Sequence, residues 1–342
     1  MINFRKETFM ARDIGIDLGT ANTIVYMKGK GIVANEPTVV AKDKKTDKII
    51  AVGSAAKEML GRTPGRIVAT KPLSGGVIAD YTIASALIDY FLNKAIKKHL
   101  LSKTRVVISI PTCASKVERQ AVKDATYAAG AKSVFLIEEC KASAIGAGLP
   151  VASPVGNMIV DIGGGTTDIA IISLGGIVVS RSINFAGNTI DAAIADYVKR
   201  KYNILIGERT AENIKIEIGY ANMDHEEKKM SFSGMSIYEG LPQSIILSSY
   251  EIAEPIGQQV GLIVDAVKTV IENTPPELLA DVMNDGIMLA GGGAYLRNLA
   301  DVIAEESTMP VRVAEDPLTC VARGAGKVLE EIKVLESSLL ET

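Results

Sequence analysis

The sequence predicts an α/β protein built from two duplicated halves. Three observations predict it: a motif that occurs twice, a strand, helix, strand order between the copies, and a length suited to about two domains. The first copy is Asp13-Ile14-Gly15-Ile16-Asp17-Leu18-Gly19-Thr20, continuing into Thr23-Ile24-Val25-Tyr26. The second is Met158-Ile159-Val160-Asp161-Ile162-Gly163-Gly164-Gly165-Thr166-Thr167-Asp168, continuing into Ile169-Ala170-Ile171-Ile172. Each copy reads as a β-branched strand ending in an acid, a Gly and hydroxyl turn, and a second β-rich strand, which is a hairpin with a polar tip. At 342 residues, 47% apolar and 23% charged, each half has enough chain to bury its own core.

Between the copies, Arg105 to Ile110 predicts a buried strand closed by Pro111. Ser115-Lys116-Val117-Glu118 is a capping box that opens a helix with Val117, Ala121, Ala125 and Ala128 as its apolar positions, and Gly130 ends it. Val134 to Ile137 is the next strand. Asp80 to Lys98 predicts a helix with Ile83, Leu87, Phe91 and Ala95 on one face. In the second half the pattern predicts a helix over Gly257 to Glu272 and a strand over Gly286 to Ala290. After Gly291-Gly292-Gly293 it predicts a helix that turns Leu296, Leu299 and Ile303 inward. Ile214, Ile216 and Ile218 fit a strand by alternation. Ile214 with Ile218 after Thr210-Ala211-Glu212 also fits a helix, and period alone does not decide between them.

Composition removes several function classes. Lys plus Arg is 37 against 40 for Asp plus Glu, which argues against a general nucleic-acid binder. The three cysteines lie far apart with no Cys-x-x-Cys pair, so neither a disulfide framework nor a cysteine zinc site is expected, and a reducing, cytoplasmic setting follows. Two histidines leave little room for a histidine metal site or a Ser-His-Asp hydrolase. No apolar run reaches membrane-spanning length, and no signal-peptide core follows the first residues.

The chemistry must then come from carboxylates, hydroxyls and backbone amides. Three glycine-rich turns follow strands: Gly19-Thr20-Ala21-Asn22, Gly163-Gly164-Gly165-Thr166-Thr167 and Gly291-Gly292-Gly293-Ala294. Glycine lets amides approach an anion and Thr adds a hydroxyl, which suits successive phosphates. Asp17 and Asp161 end the strands beside two of these turns. Acids beside a phosphate cradle make sense when a hydrated divalent cation bridges protein and phosphate. There is no Gly-x-x-x-x-Gly-Lys-Ser/Thr P-loop, and no Gly-x-Gly-x-x-Gly follows the first strand, so P-loop and Rossmann readings lose.

These residues resemble the superfamily of actin, sugar kinases and heat-shock chaperone ATPases, in which two duplicated halves clasp ATP and magnesium. Within it the chain is similar to the MreB family of bacterial actins over roughly Asp13 to Val328. The resemblance is carried by Gly29-Lys30-Gly31-Ile32-Val33 with Asn35-Glu36-Pro37, by Gly61-Arg62-Thr63-Pro64-Gly65 and by Gly76-Val77-Ile78-Ala79-Asp80. Further along it is carried by Ala144 to Pro150, Leu205-Ile206-Gly207-Glu208, Thr274-Pro275-Pro276-Glu277-Leu278 and Asp316-Pro317-Leu318. It implies an actin-like ATPase fold: two ribonuclease H-like halves with a nucleotide cleft between them. The first half would be residues 11–150 plus 320–342, with a core of 11–32, 75–150 and the C-terminal helix and a small subdomain at about 33–74. The second would be 151–319, with a core of 151–185 and 245–319 and a small subdomain at about 186–244.

Carried over position by position, the resemblance implies that Gly19, Thr20, Ala21 and Asn22 form the first phosphate loop and Gly163, Gly164, Gly165 and Thr166 the second. Asp17 and Asp161 would hold Mg2+ through water. Gly291, Gly292, Gly293 and Ala294 would lie against the adenosine of ATP or ADP, with Glu212 and Lys215 on one helix face contacting base or ribose. Glu139 would orient the attacking water, with Thr166 helping and Asp161 completing the catalytic set. The chain departs from the family where it reads Glu138-Glu139-Cys140-Lys141-Ala142-Ser143, since the family has Pro after the glutamate, and at Tyr295, where the family often has Leu. The proline would restrain the preceding backbone.

The resemblance further implies a cytoskeletal ATPase that polymerises in paired antiparallel protofilaments. It would act in the cytoplasm at the inner membrane face and support cell shape with membrane proteins of the family's complex. Ile2, Phe4, Phe9 and Met10 with Arg5 and Lys6, and Leu100-Leu101 after Lys97-Lys98-His99, offer apolar groups beside cations to a lipid surface. An unstructured N-terminus and an ordinary core position for the two leucines stand as the alternatives. The competing function is a monomeric sugar-kinase-like phosphotransferase of the same superfold. It would need an acceptor-facing aspartate base, for which the sequence offers no candidate outside the cation acids.

Overall fold

The computed structural model describes residues 12–62, 65–74, 77–78, 81–96, 104–330 and 339. The N-terminal segment and Lys97 to Leu101, both weighed above as lipid contacts, lie outside them.

The chain opens with the predicted hairpin, β1 (Arg12–Leu18) and β2 (Asn22–Met27), followed by β3 (Gly31–Pro37). A small unit follows: β4 (Val40–Asp43), β5 (Ile49–Val52), α1 (Ser54–Met59) and β6 (Ile67–Thr70), with β4 central in its three-stranded sheet. The short pair β7 (Leu73–Ser74) and β8 (Val77–Ile78) leads to α2 (Tyr81–Ile96), which buries Ile83, Leu87, Phe91 and Ala95 as the spacing predicts. Next come β9 (Thr104–Ile110), α3 (Lys116–Ala128), β10 (Ser133–Glu138) and α4 (Glu139–Gly146). The capping box on α3 forms, with the Ser115 hydroxyl accepting from the Glu118 amide, and Gly130 takes φ +98° just beyond the end. The buried face differs from the predicted one. It is Val122, Ala125 and Thr126, while Val117 is 79% exposed and Ala128 is also exposed, because the sheet covers less than a full apolar stripe on this amphipathic helix.

The second half repeats the plan with β11 (Asn157–Ile162), β12 (Thr167–Ser173) and β13 (Gly176–Ile183). Its small unit holds α5 (Gly187–Tyr202), β14 (Ile204–Leu205), α6 (Glu208–Ile218), β15 (Lys229–Ser236) and β16 (Pro242–Ser248). The Ile214 segment is therefore helical, burying Ile214 and Ile218 and leaving Ile216 exposed. After it come α7 (Ser249–Glu272), α8 (Pro276–Asp285), β17 (Ile287–Ala290), a 3-10 turn (Gly292–Tyr295), α9 (Leu299–Ser307), β18 (Val311–Val313) and α10 (Cys320–Glu330). α7 starts at Ser249, eight residues before the predicted Gly257, because Ser248 and Glu251 form a second capping box; Pro255 lies inside the helix, where it removes one backbone donor. Among the described residues no helix is long and apolar enough to cross a membrane.

The two large sheets have one topology. The first is ordered β3-β2-β1-β9-β10 and the second β13-β12-β11-β17-β18. In each, the first three strands in sequence pair antiparallel and the other two pair parallel. Both hairpin extensions carry a bulge, at Val25/Tyr26 and at Ile171/Ile172. Between the sheets lie α4 and α10, sharing a core with Val107, Ile137, Ile159, Ala170 and Met288. The two helices touch backbone to backbone. A Cβ on Gly146 would sit 1.8 Å from the Cys320 carbonyl oxygen, and one on Gly324 1.8 Å from that of Ala142.

Candidate functional site

The two hairpin tips face each other across a cavity of about 410 Å³. The first tip is held by Thr38, whose hydroxyl donates to the Gly19 carbonyl at 2.6 Å and whose amide donates to the Ala21 carbonyl at 2.9 Å. The second is closed by the Gly163 amide on the Thr166 carbonyl, 2.9 Å. Amides at the start of α5 donate to it in turn, Gly187 to Gly163 at 3.2 Å and Asn188 to Gly164 at 2.8 Å. The tips touch. A Cβ on Gly164 would lie 2.4 Å from the Ala21 Cβ, and one on Gly165 would meet Thr20 at 2.8 Å, so only glycine permits this approach.

Most of the predicted residues line this one cavity. Gly19, Thr20, Ala21 and Asn22 form one wall and Gly163, Gly164, Gly165 and Thr166 the next. Asp17, Asp161 and Glu139 lie at its closed end, and Glu212, Lys215, Gly291, Gly292 and Gly293 complete it. Ala294 is the exception. It is 6% exposed and packs into the core beneath the 3-10 turn, since the turn points its side chain inward.

The closed end is a cluster of carboxyl groups. Burial, reinforced by the neighbouring Asp161, pushes Asp17 up to about 8 despite a 3.4 Å contact from the Ser109 hydroxyl. Burial pushes Asp161 up to about 7, with the Ser143 hydroxyl opposing and Asp168 adding to the rise. Glu139 is raised well above the usual carboxylate range by burial and by Asp168, Asp17 and Asp161. Asp168, directly across the hairpin from Asp161, is raised by burial while the Ser182 and Thr166 hydroxyls oppose. Asp161 Oδ2 and Asp168 Oδ1 are buried without a hydrogen-bond partner. Crowded, orphaned oxygens of this kind are the donor set of a hard divalent cation, and Mg2+ fits here. Among the described residues no three such ligands converge on a point, so Asp17 and Asp161 would share the cation with water and phosphate oxygens.

Glu139 is the first residue of α4, behind Glu138 as N-cap and directly after β10. Lys141, which the sequence brings close to it, is 7% exposed and pairs with Glu138 at 2.8 Å, so its charge is taken up away from the cavity. Lys215 donates to the Gly187 carbonyl at 2.9 Å and pairs with Asp191 at 2.8 Å, linking α6 to α5. Glu212 pairs with Lys57 of α1 at 3.1 Å, and Glu208 with Lys71 at 2.8 Å. Both of these bonds cross the cleft between the small units. Asp168, Asp191, Lys57 and Arg297 were not identifiable as site residues in sequence. Asp168 alone left a trace there, as the last residue of the second repeated motif.

Comparison with known proteins agrees with this geometry. The family model described as MreB/Mbl protein matches residues 11–337. The cell shape-determining protein Mbl of Bacillus subtilis (strain 168) is 51% identical over 325 residues, covering 95% of this chain and 98% of that protein. The cell shape-determining protein MreB of Escherichia coli (strain K12) is 49% identical over 327 residues, covering 94% of each. Among solved structures, MreB5 of Spiroplasma citri bound to ADP superposes with a TM-score of 0.90 at 41% identity, covering 95% of this chain and 98% of that one. A MamK double helical filament gives 0.79 at 22% identity over 94% of this chain and 99% of that one, which shows the shared actin-like fold. With the family model spanning nearly the whole chain and curated relatives at about half identity from end to end, this chain belongs to the MreB/Mbl family.

Proposed function

We propose that the protein is an ATP-binding, ATP-hydrolysing cytoskeletal protein that polymerises into actin-like filaments at the inner face of the bacterial membrane and supports cell shape. The observation that carries the reading is the meeting of two glycine loops over a buried carboxyl cluster, in a chain whose relatives are named as cell shape-determining proteins. The ADP-bound relative at 41% identity supports a nucleotide in the same cavity.

In this reading the amides of Gly19 to Asn22 and Gly163 to Thr166 hold the phosphates. Asp17 and Asp161 hold Mg2+ through water. When bound there, the cation would supply positive charge against the transferred phosphoryl group. Glu139 accepts a hydrogen bond from the attacking water and aims it, while the Thr166 hydroxyl fixes the water from a second side. Gly291 to Gly293 lie against the adenosine, and Glu212 and Lys215 edge the ribose. The division into halves at 150/151 and 319/320, each with its small subdomain, belongs to the same proposal. So do paired antiparallel protofilaments and contact with lipid and cell-shape membrane proteins, which rest on the family.

High-speed sedimentation with and without ATP and Mg2+, followed by electron microscopy of the pellet, tests the reading. Filaments that require nucleotide are the expected result, with flotation on anionic vesicles reporting lipid contact. A protein that stays monomeric with every nucleotide and phosphorylates a sugar would overturn it in favour of a phosphotransferase. Polar filaments would overturn the antiparallel arrangement alone.

A further inference from the structure

The cavity is also lined by two large apolar side chains that the fold leaves open to solvent. Ile216 on α6 is 55% exposed and Tyr295, last residue of the 3-10 turn, is 58% exposed. Apolar groups that line a cavity and remain uncovered mark where an apolar part of a ligand sits. The elements that carry them are strapped together. Arg297 Nη1 donates to the Ile216 carbonyl at 2.8 Å and to Gly219 at 3.3 Å, and the Ala221 amide donates back to the Arg297 carbonyl at 2.9 Å. The Tyr295 ring is itself tethered, its hydroxyl 3.4 Å from Asp316 Oδ1.

The polar side chains nearby are already engaged. Arg297 is held by two carbonyls and lies over the Tyr220 ring, Lys215 by Asp191 and Gly187, and Glu212 by Lys57. These side chains are drawn toward partners within the protein, and the exposed ring of Tyr295 is the flat face that the cavity offers to a base.

We propose that Tyr295 is the platform on which the nucleotide base stacks, with Ile216 as an aliphatic contact, and that this stacking sets a preference for purine over pyrimidine nucleotides. The proposal rests on the nucleotide-binding reading above and deepens it. A purine offers more ring face to an aromatic than a pyrimidine does, and loss of one aromatic platform weakens base binding by about tenfold or more.

The test is calorimetric titration of ATP and CTP, with Mg2+, into the wild-type protein and into Tyr295→Ala, Tyr295→Leu and Tyr295→Phe. Expected is a loss of about tenfold or more in ATP affinity for the Ala variant and an intermediate loss for Leu. CTP affinity should change less, since a pyrimidine covers less of the ring. Phe should bind as the wild type does, since the ring is kept and only the tether to Asp316 is lost. Equal losses for ATP and CTP, no loss in Ala, or a loss in Phe matching that in Ala would overturn the platform while leaving nucleotide binding intact. Failure of the wild-type protein to bind either nucleotide would overturn both. Tyr295 is surface-exposed, so unliganded melting temperatures should match across the set.

Discussion

Asp161→Asn should make the nucleotide-free protein more stable while ending its hydrolysis. Asp161 is 7% exposed, with one oxygen unpartnered and Asp17 and Asp168 close by, and its pKa is raised from 3.8 to about 7. A carboxyl group raised in the folded state supports folding fully below its unfolded pKa. It loses that support as pH climbs through the folded value, because the unfolded chain then ionises more readily. The loss therefore accumulates between about pH 4 and pH 7. A rise of about three units at about 1.4 kcal/mol each gives about 4 kcal/mol as the upper bound of the penalty at pH 8. Asn keeps the shape and removes the charge. Urea unfolding in a chelator, without nucleotide, should show variant and wild type nearly equal at pH 4.5 and the variant ahead by a few kcal/mol at pH 8. Adding ATP and Mg2+ should raise the stability of the wild type far more than that of the variant, and phosphate release by the variant should vanish. A stability difference that is absent at pH 8, or that does not grow with pH, would refute the assignment of Asp161 as a buried acid awaiting a cation.

Removing both cross-cleft pairs with Lys57→Ala and Lys71→Ala should speed nucleotide release roughly two- to thirtyfold, since exposed ion pairs each contribute about 0.2–1 kcal/mol. Stopped-flow displacement measures it, added salt should reproduce it in the wild type, and an unchanged release rate would show that the pairs do not hold the cleft closed. Gly324→Ala drives a methyl into the Ala142 carbonyl at the α4 and α10 contact and should cost about 2–3 kcal/mol in thermal unfolding; an unshifted melting temperature would mean that the helices can part. Glu139→Ala should lower phosphate release at least tenfold with little change in ATP affinity, as judged by the split between kcat and KM. Glu138→Ala is a poor control for it, because it strands the buried Lys141 ammonium and should destabilise by about 3 kcal/mol, whereas Glu138→Ala with Lys141→Met should recover stability and turnover together.

The parts of this molecule legible in sequence were those written in local patterns. Both hairpins, the capping box at Ser115 and the apolar stripe from Ile83 to Ala95 follow from residue type at fixed spacing, and the structure forms each of them. The duplicated motif also carried the cavity, because the same strands that pair in register end in Asp17 and Asp161. What stayed hidden was set by contacts between distant segments. Val117 satisfies the helical period and is left uncovered because no element packs over it. Lys57 and Glu212 meet only because the small units close over the cleft, and nothing within α1 marks its lysine for that role. Lys141 stands two residues from Glu139 in sequence. The helical turn instead aims it at Glu138, three residues back, a geometry that a strand ending at Glu138 does not supply.

That turn also ties the chemistry to the way the halves are joined. α4 leaves the first sheet with Glu139 as its first residue and ends at Gly146, about 12 Å on, where the chain turns toward the second sheet. α10 brings the chain back, its Cys320 carbonyl against Gly146 and Gly326 close under the Tyr26 ring of β2. The two helices are thus the covalent crossings between the sheets, and glycines press their backbones together with no side chain to yield between them. Asp17 rides on the first sheet, Asp161 on the second and Glu139 on the crossing itself. A rotation of one sheet against the other, whether from nucleotide exchange or from a neighbour in a filament, must be absorbed where the crossings begin and end. One of those ends is Glu139, so the position of the proposed water-orienting acid relative to Asp17 and Asp161, the proposed cation acids, depends on the angle between the halves.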